Sequence, residues 1–445
     1  MRKTIITYGT YDLLHKGHMR LLERAKELGD KLIVGITSEN YDKSRGKLNV
    51  KHTLTQRIEN IKKTGIADLI IIEEHEGQKI DDIQKYDVDI FAIGSDWQGK
   101  FDYLNDYCDV VYLERTKNIS STLLRNSENG IIKLGIIGCG RIAKRFMFEL
   151  KFVSGIEPIG VFCRKIADAK KFSIENELYI GTDNYLTLLE QVDAVYIATS
   201  HESHYTLSKK AIELGKHVLC EKPVTLNVKE FRHLVELANN EKSVFMEALK
   251  TAYMPGFSKI ISVAKSGKIG EIIDISSTFT KLIEDKSARE YDLKVGGSIT
   301  ELASYALLPI IKLFGNIDSF NIESVNKGNI DIYSRINIKS GDKIAVATVG
   351  IGGKSEGNLI ISGTQGYIYV PSPWWLTDYF EIRNDNGQII KKYCEQLDGD
   401  GLRYEIAEFL YLINNKELET YKWQFNETVK VIEIIEKHLL ERKFN

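Results

Sequence analysis

The sequence predicts an α/β protein made of more than one domain. Three observations point there: apolar strands alternate with helical segments over the first 125 residues, the alternation restarts at residue 131 after a polar stretch, and it gives way to β-rich runs beyond residue 270. Such alternation builds parallel sheets covered by helices, and 445 residues exceed what one hydrophobic core holds.

Taken in order, residues 4–7, 32–36, 69–72, 88–93 and 110–113 read as strands, and residues 19–28 repeat apolar side chains at helical spacing. The turn-rich stretch Asn126-Ser127-Glu128-Asn129-Gly130 marks a domain boundary. A fresh strand at 131–137 follows, with further strands at 156–162, 194–198, 217–219 and 243–246. The later β-rich runs include 272–279, 330–336, 345–351 and 367–370, interrupted by one helix at 299–313 and closed by helices near 402–414 and 426–442. The expected domains are 1–128, 131–250 and 251–445, with no internal repeat.

Composition narrows the partners. A hydrophobic fraction of 43% and a charged fraction of 27% are those of an ordinary soluble chain, and a formal net charge of −2 gives no argument for nucleic acid or an acidic membrane surface. No apolar run is long enough to span a bilayer, and the apolar stretch before Gly9 is too short for a signal-peptide core. Cys108, Cys139, Cys163, Cys220 and Cys394 are odd in number and form no CxxC pair, which argues against zinc and suits a reducing cytosol. The expectation is a cytoplasmic protein with no nucleic-acid or membrane partner.

The first chemical constellation is Tyr8-Gly9-Thr10-Tyr11-Asp12-Leu13-Leu14-His15-Lys16-Gly17-His18, which follows a strand and opens a helix. A helix N-terminus presents unpaired N–H groups and a positive dipole end, so it favours phosphate. Imidazoles placed there can stabilise charge that grows during displacement at phosphorus. Taken alone, the two histidines suit an ordinary surface equally well. The flanking residues resemble the nucleotidyltransferase superfamily, in particular glycerol-3-phosphate cytidylyltransferases. Two further stretches carry the resemblance: Gly94-Ser95-Asp96-Trp97 is similar to the family's GDDW, and Arg115-Thr116-Lys117-Asn118-Ile119-Ser120-Ser121-Thr122 to its RTxxIST.

That resemblance implies that His15 and His18 are catalytic at the phosphates of CTP. It also implies that Tyr8, Gly9, Thr10, Asp12, Lys47, Asp96, Trp97, Arg115, Thr116, Ser120 and Ser121 bind the nucleotide, with Asp12 the candidate for Mg²⁺. Two departures concern the acceptor alcohol. Ser95 replaces an Asp of GDDW, and Lys62 or Lys63 stands in for an arginine near Gly65.

The second constellation begins with Gly138-Cys139-Gly140-Arg141-Ile142-Ala143, a GxGxxA between strand and helix. The first glycine makes the turn, the second lets backbone approach a pyrophosphate, and Ala143 permits close helix packing. An ordinary βα turn is the plainer alternative. The next strand ends Cys163-Arg164-Lys165 without the acidic residue that binds a ribose 2′-OH, which favours NADP over NAD through Arg164, unless Arg164 is simply a solvated cation.

Glu221-Lys222-Pro223 ends another strand, and a lysine fixed there can give a proton to a reacting carbonyl. This EKP resembles the Gfo/Idh/MocA oxidoreductases. So do Ala198–His204 beside the nicotinamide, Phe245-Met246-Glu247-Ala248, the Gly296–Tyr305 segment and Gly363-Thr364-Gln365-Gly366. The resemblance covers about residues 131–445 and implies a dinucleotide-binding Rossmann domain followed by an α+β substrate domain with a large open mixed sheet. It implies Lys222, Glu301 and Tyr305 as catalytic residues, and Gly138, Gly140, Arg141, Ile142, Ala143, Arg164, Thr199, His204, Glu221 and Lys222 around the cofactor.

Glu301 replaces the family's Asp, Ser200 and His201 replace common Pro and Asn, and Lys250 opens an altered run; all bear on substrate choice. Glu301 and Tyr305, spaced i, i+4, share one helix face, which could also simply pack Tyr305 into the core.

The joint expectation is a bifunctional enzyme. One half reduces a sugar or triose phosphate to a polyol phosphate, and the other joins that polyol phosphate to CMP from CTP, for capsule or teichoic-acid-type polymers. Alternatives are an oxidoreductase acting on a CDP-linked or unrelated sugar, or a C-terminal half that is only a nucleotide-binding scaffold. A homodimer is expected.

Overall fold

The computed structural model describes residues 3–14, 16–44, 50, 52–75, 77–113, 130–286, 288–395, 397 and 399–443. The first unit runs β1 (Thr4–Gly9), α1 (Lys16–Glu27), β2 (Lys31–Thr37), α2 (Glu39–Ser44), α3 (Leu54–Thr64), β3 (Leu69–Glu73), α4 (Gln78–Lys85), β4 (Ile90–Gly94) and β5 (Asp109–Leu113). Its strands form a five-stranded parallel sheet in the order β3-β2-β1-β4-β5. Ile5 and Val34 belong to the core on one face, and Ile6, Ile33 and Phe91 to the core on the other. Burial on both faces explains why these strands read as continuous apolar runs. α3 is set at both ends, by a Thr53/Gln56 capping box and by Gly65 in the left-handed region at φ 68°.

The second unit runs β6 (Ile132–Ile137), α5 (Arg141–Leu150), β7 (Ile156–Phe162), α6 (Ile166–Glu175), β8 (Ile180–Thr182), α7 (Tyr185–Leu189), β9 (Ala194–Ile197), α8 (His201–Glu213), β10 (His217–Glu221), α9 (Val228–Glu241) and β11 (Phe245–Ala248). Its six strands are parallel in the order β11-β10-β9-β6-β7-β8. The chain reverses direction across each sheet at its first strand, between β1 and β4 and between β6 and β9. Open α/β sheets bind ligands in the crevice at such switch points.

The third unit comprises α10 (Lys250–Tyr253), α11 (Pro255–Lys265), β12 (Ile272–Thr280), α12 (Ser298–Phe314), β13 (Ser319–Lys327), β14 (Ile330–Ser340), β15 (Lys343–Gly350), β16 (Leu359–Gly363), β17 (Gly366–Val370), β18 (Tyr379–Arg383), β19 (Ile389–Cys394), α13 (Leu402–Asn415) and α14 (Phe425–Lys443). Its eight strands form a mixed sheet, β13-β14-β15-β12-β16-β17-β18-β19, in which only β12 and β15 run parallel. The buried helix α12 packs on β12, β14 and β15. Asp331 fixes the start of α12, accepting from the Ile299 N–H (2.8 Å) and the Ser298 hydroxyl (2.7 Å), with His438 of α14 at 3.0 Å.

One core cluster joins the second and third units, from Leu134 and Phe146 to Trp374 and Ile435. The first unit meets the second through the Ser95 hydroxyl, which donates to Glu177 (2.9 Å), and through Trp97, edge-on to Phe152 at 5.9 Å. The fold is the predicted α/β arrangement: two parallel sheets, then a mixed one. Some details depart from the sequence reading. The fifth strand expected in the second block is shifted to Phe245–Ala248, and the short β8 was not among the expected strands. Cys139 and Cys163 come together, their Cα atoms 6.1 Å apart, a juxtaposition that the scattered cysteine spacing does not announce.

Two candidate active sites

The first site lies where β1 turns into α1. Its scaffold is a buried arginine that the sequence reading did not single out. Arg57 of α3 donates from Nη1 to the carbonyls of Thr10 (2.8 Å) and Thr37 (2.9 Å), and from Nε to that of His52 (3.2 Å). Its charge is matched by Asp42 at 3.3 Å, which also accepts from the Thr10 hydroxyl (2.9 Å) and the Thr37 hydroxyl (2.8 Å). A buried charge tied into this many hydrogen bonds holds the loops after β1 and β2 in one arrangement.

Asp12 accepts the His52 N–H at 2.9 Å, and the His18 ring sits edge-on to Tyr11 at 5.5 Å. His18, in the first turn of α1, is therefore presented at a helix N-terminus beside the Asp12 turn, an arrangement suited to phosphate. Tyr8 faces inward: its buried hydroxyl donates to Asp82 at 2.8 Å, and burial pushes the phenol far above its ordinary range. Gly9 backs onto the Tyr11 ring. Trp97 packs between Phe101 and Phe152. His15, Lys47, Arg115, Thr116, Ser120 and Ser121 lie outside the described residues, as does the Asp96 side chain. No group of three or more His, Cys, Asp or Glu that could hold a metal exists among the described residues. A metal here would have to take most of its ligands from substrate phosphates, as Mg²⁺ commonly does.

The second site lies at the β6/β9 switch point. Gly138 has φ 107°, and a Cβ there would stand 2.5 Å from the Ala198 carbonyl oxygen, so only glycine fits. A Cβ at Gly140 would meet nothing within 4 Å, which leaves backbone open to an incoming group. The α5 N-terminus carries no side-chain cap, and the buried Ala143 keeps that helix close to the sheet. The turn thus fits a dinucleotide pyrophosphate. Arg141 pairs with Glu290 at 3.3 Å, and Ile142 packs on the core. Arg164 stands exposed after β7 and has no partner among the described residues.

Across the crevice, Lys222 follows β10 and precedes a cis Pro223. It is 9% exposed, and its Nζ donates to the Glu301 carbonyl at 2.8 Å, stands 3.9 Å from Glu301 Oε2 and lies over the Tyr305 ring at 5.9 Å. Glu301 also faces Arg289 at 3.4 Å and His201 at 3.7 Å. Tyr196 donates to Glu221 at 2.6 Å. The Thr199 hydroxyl pairs with that of Ser203 at 2.7 Å. The fully buried His204 places Nδ1 2.9 Å from the Pro223 carbonyl and Nε2 3.3 Å from that of Thr199, tying the α8 turn to the EKP turn. Burial pushes the His204 imidazole down to about 4, so it is neutral at pH 7.

Comparisons with known proteins agree with this geometry. Residues 6–127 match the cytidylyltransferase-like family and residues 132–249 the NAD-binding Rossmann-fold family of Gfo/Idh/MocA oxidoreductases. Glycerol-3-phosphate cytidylyltransferase of Bacillus spizizenii is 48% identical over 123 residues, which are 28% of this chain and 95% of the relative. The chain belongs to the cytidylyltransferase family at its N-terminal end and carries a Gfo/Idh/MocA oxidoreductase domain beyond it. The trans-1,2-dihydrobenzene-1,2-diol dehydrogenase of Bos taurus is 27% identical over 263 residues, 57% of this chain and 78% of the relative. In fold, the 3-ketoreductase KijD10 of Actinomadura kijaniata, solved with NADP and TDP-benzene, has a TM-score of 0.63 at 20% identity, covering 68% of this chain and 96% of its own.

The cytidylyltransferase domain brings Thr10, Asp12 and His18 to one end of its sheet, while the Tyr8 hydroxyl is engaged by Asp82 and Trp97 contacts Phe101 and Phe152. The oxidoreductase domain brings Lys222, Glu301, Tyr305, Thr199 and His204 to one crevice with the Gly138–Ala143 turn. Sequence reading missed Arg57, which looks like any cation on an amphipathic helix, and Arg289. It noted His201 only as a departure from the family pattern.

Proposed function

We propose that this chain reduces a sugar or triose phosphate to a polyol phosphate with NADPH, and then transfers CMP from CTP to that polyol phosphate, giving a CDP-polyol and pyrophosphate for a capsule or teichoic-acid-type polymer. The observation that carries the reading is the fusion itself. A domain 48% identical to a glycerol-3-phosphate cytidylyltransferase shares one chain with an oxidoreductase crevice that retains a buried lysine and carboxylate. The first enzyme needs an alcohol phosphate, and carbonyl reduction makes one.

In the crevice, bound nicotinamide cofactor would supply hydride. Lys222 faces the position of the substrate oxygen and gives it a proton as the carbonyl becomes an alcohol, while Glu301 and Tyr305 wall the same space. Arg164 favours the 2′-phosphate of NADPH. In the other domain the acceptor phosphate attacks the α-phosphorus of CTP and pyrophosphate leaves. His15 and His18 stabilise the charge that develops, and Asp12 is the carboxylate that would help hold a Mg²⁺, which would supply charge neutralisation at the departing pyrophosphate. A diol dehydrogenase among the relatives is in keeping with a product that bears adjacent hydroxyls.

A second reading reverses the order, with the oxidoreductase acting on a nucleotide-linked sugar. Solved neighbours named as a 3-ketoreductase bound to TDP-benzene and as a UDP-N-acetylglucosamine 3-dehydrogenase favour it. Mass spectrometry of products formed from CTP, Mg²⁺, NADPH and a panel of ketose and aldose phosphates separates the two. The first reading expects polyol phosphate when CTP is omitted; the second expects reduction only of CDP-linked compounds.

A further inference from the structure

His201 opens α8 and faces the crevice, yet its chemistry is unspent. It is 5% exposed, and its Nε2 is buried without a hydrogen-bond partner among the described residues. An unpaired buried polar atom is unfavourable by itself and is retained where a ligand completes it. The group it faces is Glu301 Oε1, at 3.7 Å. That oxygen also accepts no hydrogen bond among the described residues, since Arg289 and Lys222 both approach Oε2. A separation of 3.7 Å is too long for a direct hydrogen bond, but it admits one oxygen about 2.8–3.0 Å from both atoms.

The chemistry of the two atoms selects what that oxygen belongs to. Burial drives the His201 imidazole well below its ordinary value, aided by the nearby His204, Lys222 and Arg289, so it is a neutral ring with one N–H. A facing carboxylate favours the Nε2–H tautomer. Nε2–H then needs an acceptor and Glu301 Oε1 needs a donor. A carbonyl oxygen only accepts and an ammonium only donates, whereas a hydroxyl does both. Glu301 itself sets the spacing: Oε2 lies toward Lys222, to which the proposed function assigns the reacting carbonyl oxygen, and Oε1 lies toward His201. Oxygens bound side by side on one carboxylate's width belong to neighbouring carbons.

We propose that His201 is a substrate-contacting, specificity-determining residue that, with Glu301, binds a hydroxyl on the carbon next to the reacting carbonyl, so that the oxidoreductase selects α-hydroxy carbonyl compounds. This rests on the reductase reading above and adds the subsite.

The test uses two matched pairs on the full chain: D-ribose 5-phosphate with 2-deoxy-D-ribose 5-phosphate, and dihydroxyacetone phosphate with hydroxyacetone phosphate; in each pair the second compound lacks the free hydroxyl on the carbon next to the carbonyl. Binding to the NADP⁺-loaded protein is measured by calorimetry, and turnover by NADPH oxidation. A site built to hydrogen-bond a hydroxyl rejects the analogue that lacks it, so at least one pair is expected to differ by about tenfold or more in wild type. In His201→Ala the ratio is expected to fall to within about threefold of unity, and His201→Asn, which keeps an amide donor, to recover part of it. Circular dichroism and NADP⁺ affinity confirm that the variants fold. Turnover without discrimination in wild type, or discrimination that survives in His201→Ala, overturns the inference and leaves the reductase reading standing. Discriminated binding without turnover overturns the reductase reading and supports the subsite. Absence of binding by either pair overturns both.

Discussion

At the scale of single residues, charge and burial divide the work. Arg164 is exposed just beyond β7, where the proposed function assigns it the 2′-phosphate of NADPH. Arg164→Ala is expected to narrow the preference for NADPH over NADH by about 1–3 kcal/mol, the range for a charge-assisted hydrogen bond, as read by titration of both cofactors. Equal affinities in wild type would remove the basis for that role. His204 acts oppositely, by staying neutral. Its folded value near 4 lies below the ordinary 6.5, so between those values the unfolded chain binds a proton that the folded chain refuses. Stability therefore falls as pH drops through that window, by roughly 3 kcal/mol when pH 4 is reached. Urea titrations of wild type and His204→Gln across the window are expected to show the slope against pH fall by about one proton in the variant; an unchanged slope would assign the acid limb to other groups.

At the scale of elements, the turn after β6 shows why some of the site was legible in the sequence. Gly138 stands there because a Cβ would collide with the Ala198 carbonyl oxygen at 2.5 Å and because its φ is 107°; a constraint that severe leaves a glycine in a recognisable place. Gly138→Ala is expected to lower NADP⁺ affinity at least tenfold while cytidylyl transfer proceeds, measured by fluorescence titration and pyrophosphate release. Retained affinity would mean that the turn does not hold the cofactor. Lys222 was legible for the same reason, a reactive residue beside a proline at a strand end.

Other parts were not legible. Arg57 is buried only because three loop carbonyls and Asp42 converge on it, and no local pattern announces that convergence. β13 escaped as well: it is an edge strand with largely exposed polar side chains, so burial imposes no apolar alternation on it. His201 and Glu301 come together from helices α8 and α12, 100 positions apart in sequence, and their pairing exists only in the fold.

At the scale of the whole molecule, the second and third units form one body and the first unit docks on it. The buried Arg403–Glu149 pair, at 2.9 Å, ties α13 to α5, and the guanidinium stacks 3.9 Å from Phe152, the same ring that meets Trp97 of the cytidylyltransferase domain. Removing one partner strands a buried charge, so Arg403→Ala is expected to lower the unfolding free energy of the oxidoreductase part by about 3–5 kcal/mol. Stepwise denaturation followed by the two activities reads this. An unaltered midpoint for loss of reductase activity would show that the pair is not what holds those units together.

The central claim is that one chain carries two independent chemistries, and the direct measurement is a paired assay on single samples of wild type, His18→Ala and Lys222→Ala, following NADPH oxidation and pyrophosphate release together. His18→Ala is expected to lose cytidylyl transfer by about a hundredfold or more and keep reduction, because charge stabilisation at phosphorus is lost in one domain only. Lys222→Ala is expected to lose reduction by about 10²- to 10⁴-fold and keep cytidylyl transfer from a supplied polyol phosphate. Both activities falling together in either variant, or either activity surviving its own substitution at the wild-type rate, would contradict it.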